Sequence, residues 1–234
     1  MHYFKLRRSR VILGSFLLFA MLMMTLPGID LRISGLFYDG HSFPRGRWWQ
    51  TLQQVGLTLF LCVSLTVIIA LYVYNRARAR KLGGIDGRRV LYLLLVLGIG
   101  AGLIVNTTLK DNFGRARPRD VVEFGGMKQF TPAFVVSREC NTNCSFASGD
   151  AAGGFFALAL ALALSRRRAM LAAAVAFGAV ISLGRIATGA HFFSDTVVSF
   201  FVMLIVADFL HHYVVLSHAQ RRELLPAVAY RAPV

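Results

Sequence analysis

Three clusters of residues, each at the end of a different apolar run, carry side chains suited to handling an anion. They are Lys110 with Arg117-Pro118, the triplet Ser148-Gly149-Asp150, and Arg185 with His191 and Asp195. Phosphoryl transfer needs cations or fixed donors around the equatorial oxygens, a nucleophile in line with the leaving group, and a proton for the departing oxygen. Lys110 supplies a point charge, while Arg117 and Arg185 supply planar forks that grip phosphate through two donors at once. Ser148 and Gly149 stand just before an apolar helix whose first N–H groups and dipole favour an anion. His191 and Asp195 are four positions apart, so a helical turn would set them on one face and let the carboxylate fix the imidazole tautomer. The other ring nitrogen is then a nucleophile for phosphorus. A His with an Asp at i+4 is by itself more often a structural pair; Arg185, six residues upstream, is what points to chemistry. A cation set of this kind could replace a metal.

The elements that must position these residues are membrane helices. Of 234 residues, 56% are hydrophobic and 16% charged, with a mean hydropathy of +0.58. That balance excludes a water-soluble domain of this size. Runs able to cover about 30 Å of hydrocarbon fall near 11–26, 54–74, 90–109, 149–164, 169–187 and 195–216. The expected fold is all-α, a six-helix polytopic membrane bundle forming one domain over residues 1–234, without internal repeats. The first and fourth runs are the short ones. Lys5, Arg7, Arg8 and Arg10 before the first run also suit a secretory signal peptide, but Met-Thr-Leu-Pro-Gly follows it without a small-x-small site, and an uncleaved helix is expected.

The formal charge of +15 alternates by loop. The N-terminus, the 75–89 loop, Arg166-Arg167-Arg168 and the tail with Arg221, Arg222 and Arg231 share one side, which the positive-inside rule makes cytoplasmic. Both termini are expected there, in the bacterial inner membrane. Nucleic acid is not needed to explain the charge. The loops 27–53, 110–148 and 188–194 then face outward, and all three clusters reach that face. Lys110, Arg115, Arg117, Arg119, Lys128 and Arg138 go against the charge bias, which an anionic substrate would explain. The 27–53 loop, with Phe37, Tyr38, Phe43, Trp48 and Trp49, suits the interface, either as a lid or gate or as an aromatic belt. Cys62 reads as a small buried hydrophobe. Cys140 and Cys144 suit a disulfide in an oxidising compartment; a zinc pair is disfavoured because that loop offers no His. Asp208, His211 and His212, at the far end of the last run, read as snorkelling or paired groups rather than a proton path.

Lys110-x6-Arg117-Pro118, Ser148-Gly149-Asp150 and Arg185-x5-His191-x3-Asp195 resemble, in order, the three-part signature of the type 2 phosphatidic acid phosphatase superfamily, in its membrane branch. The resemblance covers about 105–200 closely and the rest by topology. It implies phosphate binding by Lys110, Arg117, Ser148, Gly149 and Arg185, a phosphohistidine at His191, orientation of that ring by Asp195, and neither metal nor other cofactor. Two departures stand out. The family's middle motif usually reads Pro-Ser-Gly-His, with that His as general acid; here Ala147 and Asp150 replace the Pro and the His, so Asp150 either acts as the acid or yields the role. The third motif begins Gly184-Arg185 rather than Ser-Arg.

The stretch Lys110 to Gly126 followed by Asn143-Cys144-Ser145-Phe146 is similar to the bacterial branch acting on the 4'-phosphate of lipid A. That branch would give Arg115, Arg119 and Lys128 accessory anionic groups to contact. A prenyl diphosphate or phosphatidylglycerol phosphate would suit the same surplus, and a lipid phosphotransferase would share the intermediate. A transporter or structural protein that only binds headgroups would leave the oriented imidazole without a use.

Overall fold

The computed structural model describes residues 2–44, 47–165 and 167–216, the side chains of 2–9 and 47–50 excepted. The tail arginines, Arg166 and the side chains of Lys5, Arg7, Arg8, Trp48 and Trp49 lie outside that description. Among the described residues the structure is helical, with a lone bridge between Val121 and Lys128 in place of any strand.

Each expected run is a helix. We label them α1 (His2–Thr25), α2 (Gly28–Gly35), α3 (Arg47–Ala77), α4 (Gly87–Asn112), α5 (Gly149–Leu164), α6 (Arg168–Ala187) and α7 (Phe193–Leu216). Within α4 the stretch Val96–Leu109 winds as a π-helix, and Thr107 and Thr108 donate their hydroxyls to carbonyls five residues back. Lys110 emerges from the end of that wide turn.

Among the described residues four helices are long and apolar enough to cross a membrane: Thr51–Ala77, Gly87–Asn112, Arg168–Ala187 and Phe193–Leu216. A fifth crossing requires Arg10–Thr25 and Gly28–Gly35 to count together, although they bend by 84° at Pro27. Helix α5 has 16 residues, about 24 Å of rise, and falls short of the hydrocarbon thickness. The protein is therefore a multi-pass helical membrane protein, with four to five long apolar spans among the described residues.

Helix α5 is short because it is the centre of the bundle rather than part of its lipid face. Most of its residues are buried, packed between α6 and α7. Small residues bring its backbone close to α6: a Cβ on Gly178 would lie 2.1 Å from the Phe155 ring, and one on Gly154 would lie 3.3 Å from the Gly178 Cα. Close approach of this sort is what holds helices together where lipid offers no hydrophobic drive. Helix α3 is the opposite case. Leu52, Val55, Leu59, Val63 and Val67 are exposed along it as a lipid-facing surface. Cys62 lies on this helix and is exposed, which corrects the expectation of a buried thiol. His211 is buried edge-on against Tyr92.

The connections that carry Tyr38, Phe43 and Phe124 fold back over the ends of α5 and α7. Phe43, Tyr38 and Phe124 form an aromatic cluster, with Phe43 packed on Gly189. Gly189 has φ +61, and a Cβ there would meet the Phe43 ring at 2.5 Å, so only glycine serves.

Candidate active site

A cavity of about 380 Å³ opens where α4, α5, α6 and the turn before α7 meet. Lys110, Arg117, Arg119, Asp150, Arg185 and His191 line it, with Gln54 and the Asn143 backbone at its edge. The three clusters, spread over 86 residues of sequence, thus converge on one space. Four cations face one carboxylate. The Arg185 Nε lies 3.0 Å from Asp150 Oδ2 as an ion pair, without the alignment of a hydrogen bond. Arg117 donates through Nε and Nη2 to the Asn143 carbonyl, at 3.2 and 2.7 Å, which anchors its fork at the cavity wall. Burial, with Arg119 and Arg185 close by, pushes the Arg117 guanidinium below its usual range.

His191 sits in the turn between α6 and α7. Its backbone N–H donates to the Arg185 carbonyl at 3.2 Å, which ties the histidine to the end of the helix bearing that arginine. The ring lies 2.8 Å, through Nδ1, from the Ser145 carbonyl. A carbonyl oxygen can only accept, so Nδ1 carries the proton and Nε2 keeps its lone pair. Burial, reinforced by Arg185 and Arg117 and opposed by Asp195, holds the imidazole below its ordinary pKa of 6.5 and favours the neutral form.

This arrangement corrects the expected His191–Asp195 contact. The turn at 191–192 is not helical, and Asp195 is instead the third residue of α7, where its carboxylate accepts the Phe192 N–H at 2.8 Å. His191 Nδ1 to Asp195 Oδ2 is 3.8 Å, beyond hydrogen-bond reach. Ser145 stands between them. Its carbonyl takes the ring proton while its hydroxyl donates to Asp195 Oδ2 at 2.5 Å.

Arg115 is the second correction. Expected among accessory outward cations, it is 1% exposed. It donates to Asp195 Oδ1 at 2.5 Å, to Ser194 Oγ and Asp30 Oδ2 at 2.9 Å, and to the Thr131 carbonyl at 2.8 Å. The Phe192 ring covers its guanidinium at 4.3 Å. Asp30, from α2, also accepts the backbone N–H and the hydroxyl of Ser194 at the start of α7. A cluster of two carboxylates and one guanidinium therefore supports the histidine from behind.

Ser148 is fully buried, and its hydroxyl accepts the Ala151 N–H as the cap of α5. It shapes the helix end rather than lining the cavity, whereas Gly149 and Asp150 are partly exposed there. A Cβ on Gly149 would lie 2.4 Å from Asn106 Oδ1, so glycine lets α4 approach. Gly184 lacks the usual serine for a visible reason: the Gln53 amide occupies that space, 1.7 Å from where a Cβ would be. Cys140 and Cys144 are joined as a disulfide, and the loop it closes holds Asn143. Among the described residues no group of three or more His, Cys, Asp or Glu is placed to hold a metal ion.

Residues 89–218 match the model of the PAP2 superfamily. The chain belongs to the PAP2 superfamily. Its PAP2 relatives include the lipid A 4'-phosphatase of Francisella tularensis subsp. novicida, 34% identical over 81% of this chain and 89% of that one. The lipid A 4'-phosphatase of Rhizobium leguminosarum is 30% identical over 77% and 84%. A crystal structure of a transmembrane PAP2-type phosphatidylglycerolphosphate phosphatase from Bacillus subtilis superposes with a TM-score of 0.57 at 19% identity. It covers 86% of this chain and 94% of its own, a likeness of fold.

Asp30, Ser145 and Ser194 were missed as site residues. The legible signal was Asp30 itself, an acid set between apolar residues two positions after Pro27-Gly28. A charge beside a membrane helix implies a partner.

Proposed function

We propose that this chain is a membrane lipid phosphatase that removes the 4'-phosphate of lipid A through a phosphohistidine at His191. The observation that carries the reading is the bare His191 Nε2, its other nitrogen held by the Ser145 carbonyl, on the wall of a cavity with four cations and one carboxylate. Curated relatives of near-full length carry that activity in their names.

In this mechanism Lys110, Arg117 and Arg185 take the non-bridging oxygens of the phosphate, with the Gly149 and Asp150 end of α5 adding its dipole. Arg185 exchanges Asp150 for the substrate. Nε2 bonds to phosphorus as the P–O bond to the sugar breaks, and Asp150, freed from Arg185, relays the proton of the monoanionic phosphate ester to the departing oxygen. The imidazole, protonated at Nδ1 and phosphorylated at Nε2, gains positive charge. The Asp195 carboxylate, 3.8 Å from Nδ1, stabilises this state. Water then attacks phosphorus, Asp150 takes its proton, and the P–N bond breaks to release phosphate.

The topology that suits this chemistry is a single domain of six crossings in the bacterial inner membrane, α5 and the α1–α2 pair included, with both termini cytoplasmic and the cavity periplasmic. The charge pattern of the loops supports it.

The test is phosphate release by the purified protein in detergent with EDTA, comparing lipid A, phosphatidylglycerol phosphate and undecaprenyl diphosphate, with His191→Ala alongside. Release from lipid A that is lost in the variant is the expected result. Preference for another lipid removes the substrate assignment, and release that survives in His191→Ala removes the intermediate.

A further inference from the structure

A second cavity of about 470 Å³ opens beside the first and shares Arg117, Arg119 and Asn143 with it. Lys128 and the polar residues Asn141 and Thr142 form its far side. We infer that this cavity is a second anion subsite, holding another acidic group, phosphate or carboxylate, of the same lipid whose scissile phosphate faces His191. The inference rests on the lipid A reading and deepens it.

Three observations carry it. The first is charge: Arg117, Arg119 and Lys128 face the carboxylate of Asp120, which lies 3.9 Å from Arg119. Both members of that pair are about half exposed, so it neutralises little. The second is construction. Lys128 is locked to the chain before it by Lys128 N–H to the Asp120 carbonyl and Val122 N–H to the Lys128 carbonyl, both 2.9 Å. This pairing closes only because residue 126 is glycine: a Cβ there would lie 2.1 Å from the Asp120 carbonyl. The Lys128 ammonium gives one hydrogen to the Glu139 carbonyl at 2.5 Å, which leaves two of its three donors for a ligand. The third is continuity. Arg117 and Arg119 belong to both cavities, so one molecule can present an anion to each, while Lys128 lines the second cavity and not the first.

A lipid A carrying phosphates at both ends of its diglucosamine would use both cavities, and a lipid with one phosphate would use the first. The experiment measures binding to full-length His191→Ala protein in neutral detergent, where no turnover interferes. The ligands are a diglucosamine lipid with both phosphates, the same lipid with only the phosphate to be cleaved, and phosphatidic acid. Adding Lys128→Gln is expected to weaken the first roughly fivefold to tenfold and leave the other two within about twofold, with Lys128→Arg restoring the first. Equal weakening of all three, or of none, overturns the subsite. A Lys128 dependence that appears only after anionic phospholipid is added assigns the second anion to a neighbouring lipid and overturns the same-molecule claim. Turnover of the same ligands by wild-type protein separates the two readings. Lys128-dependent binding without turnover removes the lipid A phosphatase and keeps the subsite; turnover without Lys128 dependence does the reverse.

Discussion

Arg115 and Arg117 are separated by one alanine and serve two different regions. Arg115 is sealed behind the histidine, its donors spent on Asp30, Ser194, Asp195 and the Thr131 carbonyl. Arg117 lies on the cavity wall, anchored by a backbone carbonyl that takes two of its donors and none of its charge. Two side chains of the same shape and charge thus meet opposite demands. Where carboxylates wait in the protein, arginine builds structure; where they are withheld, it waits for a ligand. The sequence pattern Arg-x-Arg does not distinguish these cases, because what differs is the partner and not the arginine.

The largest expected effect comes from breaking the buried side. Arg115→Met leaves Asp30 and Asp195 buried without their cation, which should cost about 3–5 kcal/mol and most of the folded protein. The check is the thermal midpoint and monodispersity in detergent. The double variant Arg115→Met with Asp30→Asn should recover part of that loss, which a cycle of the four proteins measures. Arg117→Gln should do the converse, with a thermal midpoint near wild type and kcat/KM lower by about 10²–10³. Comparable destabilisation by both variants would erase the distinction between the regions.

Cys140→Ser with Cys144→Ser sharpens the comparison, because it loosens the loop that presents the Asn143 carbonyl to Arg117 and leaves the Arg115 cluster alone. Opening so short a loop should cost at most about 2 kcal/mol, and KM should rise several-fold with kcat little changed. The smallest effect is on pH. His191 is held below 6.5, so the neutral nucleophile persists into mild acid, and the acid limb of kcat/KM for the free enzyme should fall below pH 6.5. The sign for stability is the same. A depressed native value contributes stability above the unfolded pKa, and that contribution is lost as pH falls through the native one. An acid limb above 6.5 would show that Asp195 outweighs burial.

The helices were legible because apolar length is a local property. The limits of α5 agree with the run at 149–164, where Ser148 offers a cap and a Gly, Ala and Leu sequence follows. The convergence of Lys110, Arg117, Asp150, Arg185 and His191 was readable because their clusters stand at apolar-run ends that share one face and resemble an ordered family signature. The buried cluster was not legible, since Arg115 finds its partners 85 and 80 residues away, at Asp30 and Asp195, and no periodicity links such positions. The role of Ser145 was hidden for another reason: its main-chain carbonyl holds the histidine, and a carbonyl is common to every residue. The bend at Pro27 had its proline and glycine in plain view, but how far a chain turns at a break depends on what receives the next segment. Here Asp30 docks on α7.

The 16-residue length of α5 has a consequence for where hydrolysis happens. With one end at a hydrocarbon boundary, a rise of about 24 Å leaves the other about 6 Å short of the opposite boundary. If the recessed end is the one bearing Gly149 and Asp150, a lipid phosphate meets them at the depth of its own leaflet, its acyl chains still among their neighbours. The amphiphile then arrives by sideways diffusion, and the solvent that finishes the reaction is what has to travel.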